Sequence, residues 1–421
     1  MEIYNIITVI IVLAAIFGYI NHRFFKLPGT IGIMLISLIA SLLVVGIGYI
    51  FPTFFFKTTE ALGAIDFQTA VLKVMLSFLL FAAAIQIDAK KLKKERTTII
   101  TFSTIGVLIS TLVVGLLLYA LTILFGLSVN LLYCLLFGAL ISPTDPIAVT
   151  AILKKAKIPV ALEARISGES LFNDGVGVVL FITFYEIAQI GLVNTTVWDV
   201  VWLFIRETGG GLLLGWLLGQ IGYLVLRSID NYIVQVMTTL AIVMGGYLLA
   251  ENLSVSGPLA MVIAGLITGN KSMDVVVSDT SRDYIGKFWE MIDEVMNAIL
   301  FLLIGFEMLI IPFNMTLLLM GCITIVIVLF ARYISVWLPI IVLKNKRPFE
   351  KNTIPILTWG ALRGGISVAL ALAVPKYMYG DMLVSITYIV VLFSIIGQGL
   401  TIGKYAKKLK DEEELQDSAK R

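Results

Sequence analysis

The amino-acid sequence predicts an all-α integral membrane protein with about thirteen transmembrane helices. Of its 421 residues, 59% are hydrophobic and 14% are charged, whereas soluble domains average roughly 45–50% apolar and about 25% charged residues. Apolar stretches of the length that crosses a bilayer, about 20 residues, recur along almost the whole chain. Lysine and arginine are concentrated in alternate loops between these stretches, as in a chain that crosses the membrane repeatedly.

The individual spans follow from the length criterion. We expect them at residues 2–20, 29–51, 67–88, 98–126, 130–153, 166–192, 199–226, 231–251, 256–270, 286–311, 315–343, 353–375 and 381–403. The ninth is short and could be partly re-entrant. The first is interpreted as a helix rather than a signal peptide, because positive charge follows it instead of preceding it. A transmembrane domain therefore covers residues 1–403, and residues 404–421 form a short hydrophilic tail.

The loop charges predict the orientation. The loops after odd-numbered spans, together with the tail, carry nearly all of the loop lysines and arginines, whereas the other loops carry only Lys57 and Lys376. Positively charged loops stay on the cytoplasmic side. The sequence therefore predicts a multi-pass protein of the plasma (cell inner) membrane, with its N-terminus outside and its C-terminus in the cytoplasm.

The fifth span contains a helix-breaking run. Residues 142–146 read SPTDP, in which Pro143 and Pro146 flank the acidic Asp145. Proline cannot donate a backbone hydrogen bond and clashes with the preceding turn. We therefore expect the fifth helix to be interrupted here, close to the middle of the membrane.

A second break is expected in the twelfth span, where residues 360–365 read GALRGG. If spans 1–6 and 8–13 are two inverted repeats, about residues 1–192 and 231–403, the two breaks occupy equivalent positions. Interrupted helices in corresponding places of two halves point to the binding site of a transporter. Two unrelated kinks remain the alternative on this observation alone.

The sixth span carries charges that are costly inside a membrane. Its sequence at 168–175 is GESLFNDG. Glu169 and Asn173 are four residues apart, as are Ser170 and Asp174, so each pair lies on one side of a helix. Glu169 and Asp174 are about 7.5 Å apart along the axis. Carboxylate, hydroxyl and freed carbonyl oxygens are the ligands that small cations prefer.

The fifth span adds Asp145 and Thr144 to this predicted cation site, which they would face near mid-membrane. Arg363, in the other break, needs a carboxylate partner, and we expect that partner to be Glu169. The remaining intramembrane charges are interpreted mainly as ion pairs or interfacial groups, except that Arg206 and Glu207 are assigned no role. They are Lys73, Arg206, Glu207, Glu290, Asp293, Glu294, Glu307 and Arg332.

Three motifs together resemble those of the first family of monovalent cation/proton antiporters, which includes prokaryotic NhaP-type exchangers and animal sodium/proton exchangers. They are TDP at 144–146, GES…ND at 168–174 and WGALRG at 359–364. Their order, spacing and the number of spans match the family over nearly the whole membrane domain. The resemblance implies a thirteen-helix fold with crossed broken helices, a core and an interleaved dimerisation subdomain, and a homodimer.

The resemblance also implies roles for individual residues. Asp174 would be the carboxylate that binds the transported ion or the proton, with Na⁺ held at Asp174 and Asp145. Thr144, Ser170 and Glu169 match positions that help to bind the ion directly or through water.

Other positions would be structural. Asn173 matches an asparagine that steadies the crossed helices, and Arg363 matches an arginine that pairs with the glutamate at Glu169. Pro143 and Pro146 would shape the break. Electrogenic relatives carry Asp-Asp where this chain has Asn173-Asp174, so the chain resembles the electroneutral branch.

The predicted function is therefore exchange of a monovalent cation, Na⁺ first, for H⁺, one for one by competition at Asp174, in pH and sodium homeostasis. Li⁺ or K⁺ use the same ligand types, and a K⁺/H⁺ antiporter of the same fold is the alternative. A cation channel or uniporter is a rival of another class. The predominance of carboxylates at the site disfavours an anion transporter.

Enzymatic function is not expected. The single histidine, His22, lies in a short basic loop, which argues against a histidine metal site or a catalytic triad. No cofactor motif is present, and neither a cofactor nor a nucleic-acid partner is predicted. Cys134 and Cys322 lie in apolar stretches and are interpreted as packing residues.

Overall fold

The computed structural model describes residues 3–53, 59, 69–145, 149, 160–191, 196–272, 279–311, 314–345, 349–350 and 352–418. Within these ranges the regular structure is helical. The helices are α1 (Tyr4–Phe25), α2 (Gly29–Ile50), α3 (Ala70–Gln86), α4 (Ala89–Leu124), α5 (Leu131–Ile141), α6 (Val160–Ile190), α7 (Val197–Ser228), α8 (Tyr232–Leu253), α9 (Gly257–Asn270), α10 (Asp279–Glu307), α11 (Met315–Leu343), α12a (Thr353–Trp359), α12b (Gly365–Leu372) and α13 (Gly380–Leu409).

These helices fall on the thirteen predicted spans, with α12a and α12b as the two halves of the twelfth. Eight of them are long and apolar enough to cross a membrane unaided. Several extend beyond the prediction, and two of them do so by the largest margins. The fourth begins at Ala89, because the Asp88 side chain accepts a hydrogen bond from the Lys90 amide and caps the helix. The last continues as helix to Ser418, through what was predicted as a hydrophilic tail.

The helices pack as two groups. The first bundle contains α1, α2, α3, α7, α8, α9 and α10, and the second contains α4, α5, α6, α11, α12a, α12b and α13. Helices α6 and α12b also contact the first bundle. Small residues permit the closest packing, as is usual in membranes: a Cβ added at Gly215 of α7 would lie 2.4 Å from the Ala260 carbonyl oxygen of α9.

The two predicted breaks meet inside the second bundle. Helix α5 ends at Ile141, and the extended residues that follow reach the gap between α12a and α12b. There the Asp145 amide donates a 2.8 Å hydrogen bond to the Leu362 carbonyl oxygen. The prediction of crossed breaks in spans 5 and 12 is therefore confirmed. Pro146 and most of the second half of span 5 lie outside the described residues.

Candidate functional site

A cavity of about 530 Å³ lies between the two bundles. One wall is formed by α3 and α10, and the other by the break of span 5, by α6 and by the start of α12b. The lining begins at the exposed Asp88 and Lys91, where α3 connects to the basic first turns of α4, and reaches the buried Asp174. Asp174 is therefore accessible from one end of the molecule, the end that carries these basic turns.

Three of the predicted site residues form a hydrogen-bonded cluster beside this cavity. The Thr144 hydroxyl lies 2.9 Å from the Ser170 hydroxyl and accepts a 2.8 Å hydrogen bond from the Asn173 amide nitrogen. The Asn173 side-chain oxygen accepts from the Thr144 amide at 3.3 Å. Helix α6 thus satisfies the backbone that the break leaves unpaired, as buried polar groups require. Asn173 joins the two elements through these two hydrogen bonds.

Asp174 and Asp145 are left facing the cavity. Asp174 is only 7% exposed, and no described residue bonds to its carboxylate. Asp145 lies close enough for the two negative charges to repel each other. Burying an unpaired carboxylate is costly, so this arrangement favours the binding of a proton or a cation at Asp174.

Gly364 allows Asp145 to occupy its position. A Cβ added at Gly364 would lie 2.9 Å from Asp145 Oδ2 and 3.0 Å from Asp145 Cβ, closer than ordinary van der Waals contact. The glycine-rich sequence of the twelfth span therefore has a steric cause, namely the close approach of an acidic side chain. Pro143 has a similar constraint, because it packs directly on Gly177 of α6.

Glu169 has a different partner from the one predicted. Its two carboxylate oxygens accept hydrogen bonds from Arg332 Nη1 and Nη2 at 2.5 and 3.0 Å, and both side chains are buried. Arg332 Nε also donates to the Leu357 carbonyl oxygen of α12a at 3.2 Å. The predicted pairing of Glu169 with Arg363 is therefore wrong. Glu169 does not line the cavity, so its geometry fits a structural role better than ion binding.

Arg363 instead holds the break of the fifth span. Its Nη1 donates to the carbonyl oxygens of Ser142 and of Pro143, the latter at 2.9 Å. Its own amide donates to the Ser394 hydroxyl of α13 at 2.8 Å. A guanidinium at these carbonyls stabilises the C-terminal end of α5, where the helix dipole is negative. The predicted structural role of Arg363 thus has a concrete basis in contacts with the backbone.

Sequence reasoning did not place α10 at the site. Asp293 and Asn297 line the cavity opposite the second bundle, and Asp293 Oδ1 accepts a 3.1 Å hydrogen bond from Asn297. These residues are a carboxylate and an amide four apart in a largely apolar helix. That is the same signal that identified Glu169 and Asn173 in α6, so it was available in the sequence.

Two ion pairs lie away from the cavity, one involving Lys73, as predicted, and one involving Arg206 and Glu207, to which the sequence assigned no role. Lys73 lies 2.9 Å from Glu251 of α8. Arg206 lies 3.6 Å from its neighbour Glu207 in α7. Neither pair contributes to the cavity lining.

Comparisons with known proteins identify the family to which this chain is similar. The profile of the family described as sodium/hydrogen exchanger, transmembrane, matches residues 11–408. The Na⁺/H⁺ antiporter NhaP of Pseudomonas aeruginosa is 44% identical over 419 residues, which cover 98% of this chain and 99% of that protein. The Na⁺/H⁺ antiporter NhaH of Halobacillus dabanensis is 33% identical, with 82% and 84% covered.

The fold has a solved counterpart. The structure of the sodium proton antiporter MjNhaP1 from Methanocaldococcus jannaschii matches with a TM-score of 0.74 over 97% of this chain and 99% of that one. At 19% sequence identity, this likeness shows a shared fold.

Proposed function

We propose, since the chain belongs to the sodium/hydrogen exchanger family, that Asp174 is the group at which it exchanges Na⁺ for H⁺. The chain is a multi-pass membrane transporter rather than an enzyme, and Na⁺ and H⁺ are its transported ions. The assignment of Asp174 is supported by one observation above the others. It is the buried carboxylate at the deep end of the cavity to which no described residue bonds.

The neighbouring groups are already occupied. Thr144, Ser170 and Asn173 bond to one another, and Glu169 bonds to Arg332. Asp174 is therefore left to take an external partner, with Asp145 beside it. Burial disfavours the charged form of a carboxylate and a nearby cation favours it. A proton and Na⁺ consequently compete for one carboxylate, and either of them neutralises it.

Competition at one carboxylate makes the exchange electroneutral. The protonated form and the Na⁺-bound form of Asp174 carry the same charge, and Asn173 next to it is uncharged. Glu169 is balanced by Arg332. One Na⁺ then crosses for each H⁺, and the unloaded, charged form crosses poorly because charge in a membrane is costly.

Alternating access is achieved when the second bundle, which carries α6 and both breaks, moves against the first. We assign the second bundle to the core subdomain and the first to the dimerisation subdomain of a homodimer embedded in the lipid bilayer. The cavity opens at the end that carries the basic first turns of α4. With the N-terminus outside and the C-terminus in the cytoplasm of the plasma membrane, this is a cytoplasm-facing state.

The proposal is tested with Asp174→Asn in proteoliposomes that contain a pH-sensitive dye. Wild-type protein should move protons when Na⁺ is added, and the variant should not, since an amide cannot exchange a proton for a cation. Asp283→Asn is the matched control, because Asp283 is an exposed partner of Lys287 on α10 outside the cavity. Li⁺ and K⁺ measured in parallel identify the preferred cation. Full exchange by a folded Asp174→Asn protein would show that another group carries the ion.

A further inference from the structure

One stripe of α10 faces the second bundle along its length. Asp293, Asn297, Leu300, Ile304 and Glu307 are spaced at four, three, four and three residues, which places them on one side of a helix. The two carboxylates at its ends are about 21 Å apart along the axis. This stripe, hereafter the α10 stripe, therefore carries an acidic group on each side of an apolar middle.

The end of the stripe that contains Asp293 is open to the cavity. Asp293, Asn297 and Leu300 belong to the lining, whereas Ile304 and Glu307 do not. Asp293 lies close enough to Asp145 for their charges to interact. A cation that enters the cavity therefore meets a carboxylate of the first bundle opposite the carboxylates of the second.

The middle of the stripe closes the path. Leu300 packs so tightly against the second bundle that a Cβ added at Gly365 of α12b would lie 2.4 Å from it. One helical turn further along α10, the Ile304 carbonyl oxygen accepts a 3.0 Å hydrogen bond from the Tyr388 hydroxyl of α13. Both contacts join the first bundle to the second, so both must change when the bundles move.

The far end of the stripe holds Glu307, which is 7% exposed. No described residue donates a hydrogen bond to its carboxylate. The Tyr388 hydroxyl lies close enough to interact electrostatically with it. An unpartnered carboxylate buried in a membrane protein is costly and marks a functional position. Glu307 lies just beyond the contact that seals the present cavity.

We propose that the α10 stripe supplies one cation-docking carboxylate to each access state. Asp293, held by Asn297, docks Na⁺ on the side to which the cavity now opens. Glu307 docks it on the opposite side once the second bundle has moved past Leu300 and Ile304. Asp174 and Asp145 travel with the second bundle, whereas the docking groups stay with the first. This inference rests on the exchange function proposed above.

The proposal predicts that the two carboxylates act on opposite faces. Exchange is measured as a function of Na⁺ concentration in everted and in right-side-out membrane vesicles, which gives one apparent KM for each face. Asp293→Asn should raise the apparent KM for Na⁺ at the membrane face to which the cavity opens, about five- to tenfold relative to the KM at the opposite face. The reason is that a charge near the entering Na⁺ is lost. Glu307→Gln should shift the ratio of the two values in the opposite direction.

Controls separate the possible failures. Asp283→Asn, on the same helix but outside the cavity, should leave the ratio of KM values unchanged. Glu307→Asp keeps the charge one methylene further back and should shift the ratio about twofold in the same direction as Glu307→Gln. If the Glu307→Gln protein does not insert into the membrane, Glu307→Asp still tests the role of this carboxylate. Variants that leave the ratio unchanged, or that all shift it in one direction, would overturn the proposal while wild-type exchange still supports the function. Absence of Na⁺-dependent proton movement in wild-type vesicles would overturn both.

Discussion

Removing Arg332 should unbalance a buried charge that the protein cannot solvate. The side chains of Glu169 and Arg332 are only 1% and 8% exposed, and two hydrogen bonds join them at 2.5 and 3.0 Å. Arg332→Met keeps an apolar, unbranched stem but deletes the guanidinium. It leaves the Glu169 carboxylate buried without a counter-charge and the Leu357 carbonyl oxygen without its donor.

The magnitude follows from the burial of both partners. Removing one member of a buried ion pair costs about 3–5 kcal/mol, because the other charge stays in a medium of low polarity. Replacing both members by apolar groups of similar size is often close to neutral. Since folded domains are stable by only about 5–15 kcal/mol, Arg332→Met should lose a large fraction of that stability. The double variant Glu169→Leu/Arg332→Met should recover most of it.

The assay measures the apparent melting temperature in detergent. Melting is monitored as the loss of the monodisperse peak in size-exclusion chromatography. We expect Arg332→Met to melt well below wild type and the double variant to lie closer to wild type. Lys287→Met removes a pair whose side chains are 70% and 61% exposed and serves as the control, with no measurable shift expected. The reasoning would be refuted if Arg332→Met had the same apparent melting temperature as wild type, or if the double variant melted at a temperature no higher than that of Arg332→Met.

Other substitutions and conditions test the site itself. Gly364→Ala should displace Asp145, whose Oδ2 would lie 2.9 Å from the new methyl carbon, and raise the KM for Na⁺. Gly286→Ala, with open space around it, should not, and equal effects would count against a steric cause. Ser170→Ala removes the 2.9 Å hydrogen bond to Thr144, worth about 1 kcal/mol, and should weaken Na⁺ binding several-fold; unchanged binding would show that this bond does not position the site. An imposed membrane potential should leave the exchange rate nearly constant, whereas a steep dependence on voltage would contradict electroneutral exchange.

Much of the fold could be predicted because its signals are local. A membrane helix must satisfy its backbone internally, so the apolar stretches of sufficient length are helical wherever the structure describes them, apart from the two breaks. The prolines around Asp145 and the glycines around Arg363 marked the breaks for the same reason. The charged helical segments at 89–97 and 404–418 were missed, because the apolar length criterion does not register helices rich in lysine and glutamate.

The site could be predicted where one helix defines it. Spacing along α6 determines which side chains share a face. This was enough to predict that Ser170, Asn173 and Asp174 lie together beside the break of span 5. The partner of Glu169 is 163 residues away in sequence, and both Arg332 and Arg363 are intramembrane arginines. Only the packing of α11 against the second bundle decides between them. The spacing of Asp293 and Asn297 was visible in the sequence, but their place in the wall of the cavity depends on how α10 packs opposite the second bundle.

The central claim is that Na⁺ and H⁺ compete for Asp174, and proton release on Na⁺ binding tests it most directly. Purified protein in lightly buffered detergent solution, between about pH 6 and 9, should release up to about one proton for each Na⁺ that it binds, because only the protonated fraction of the carboxyl has a proton to release. The Asp174→Asn variant should release none, and Asp283→Asn should behave as wild type. Na⁺-induced proton release that persists in a folded Asp174→Asn protein would contradict the account.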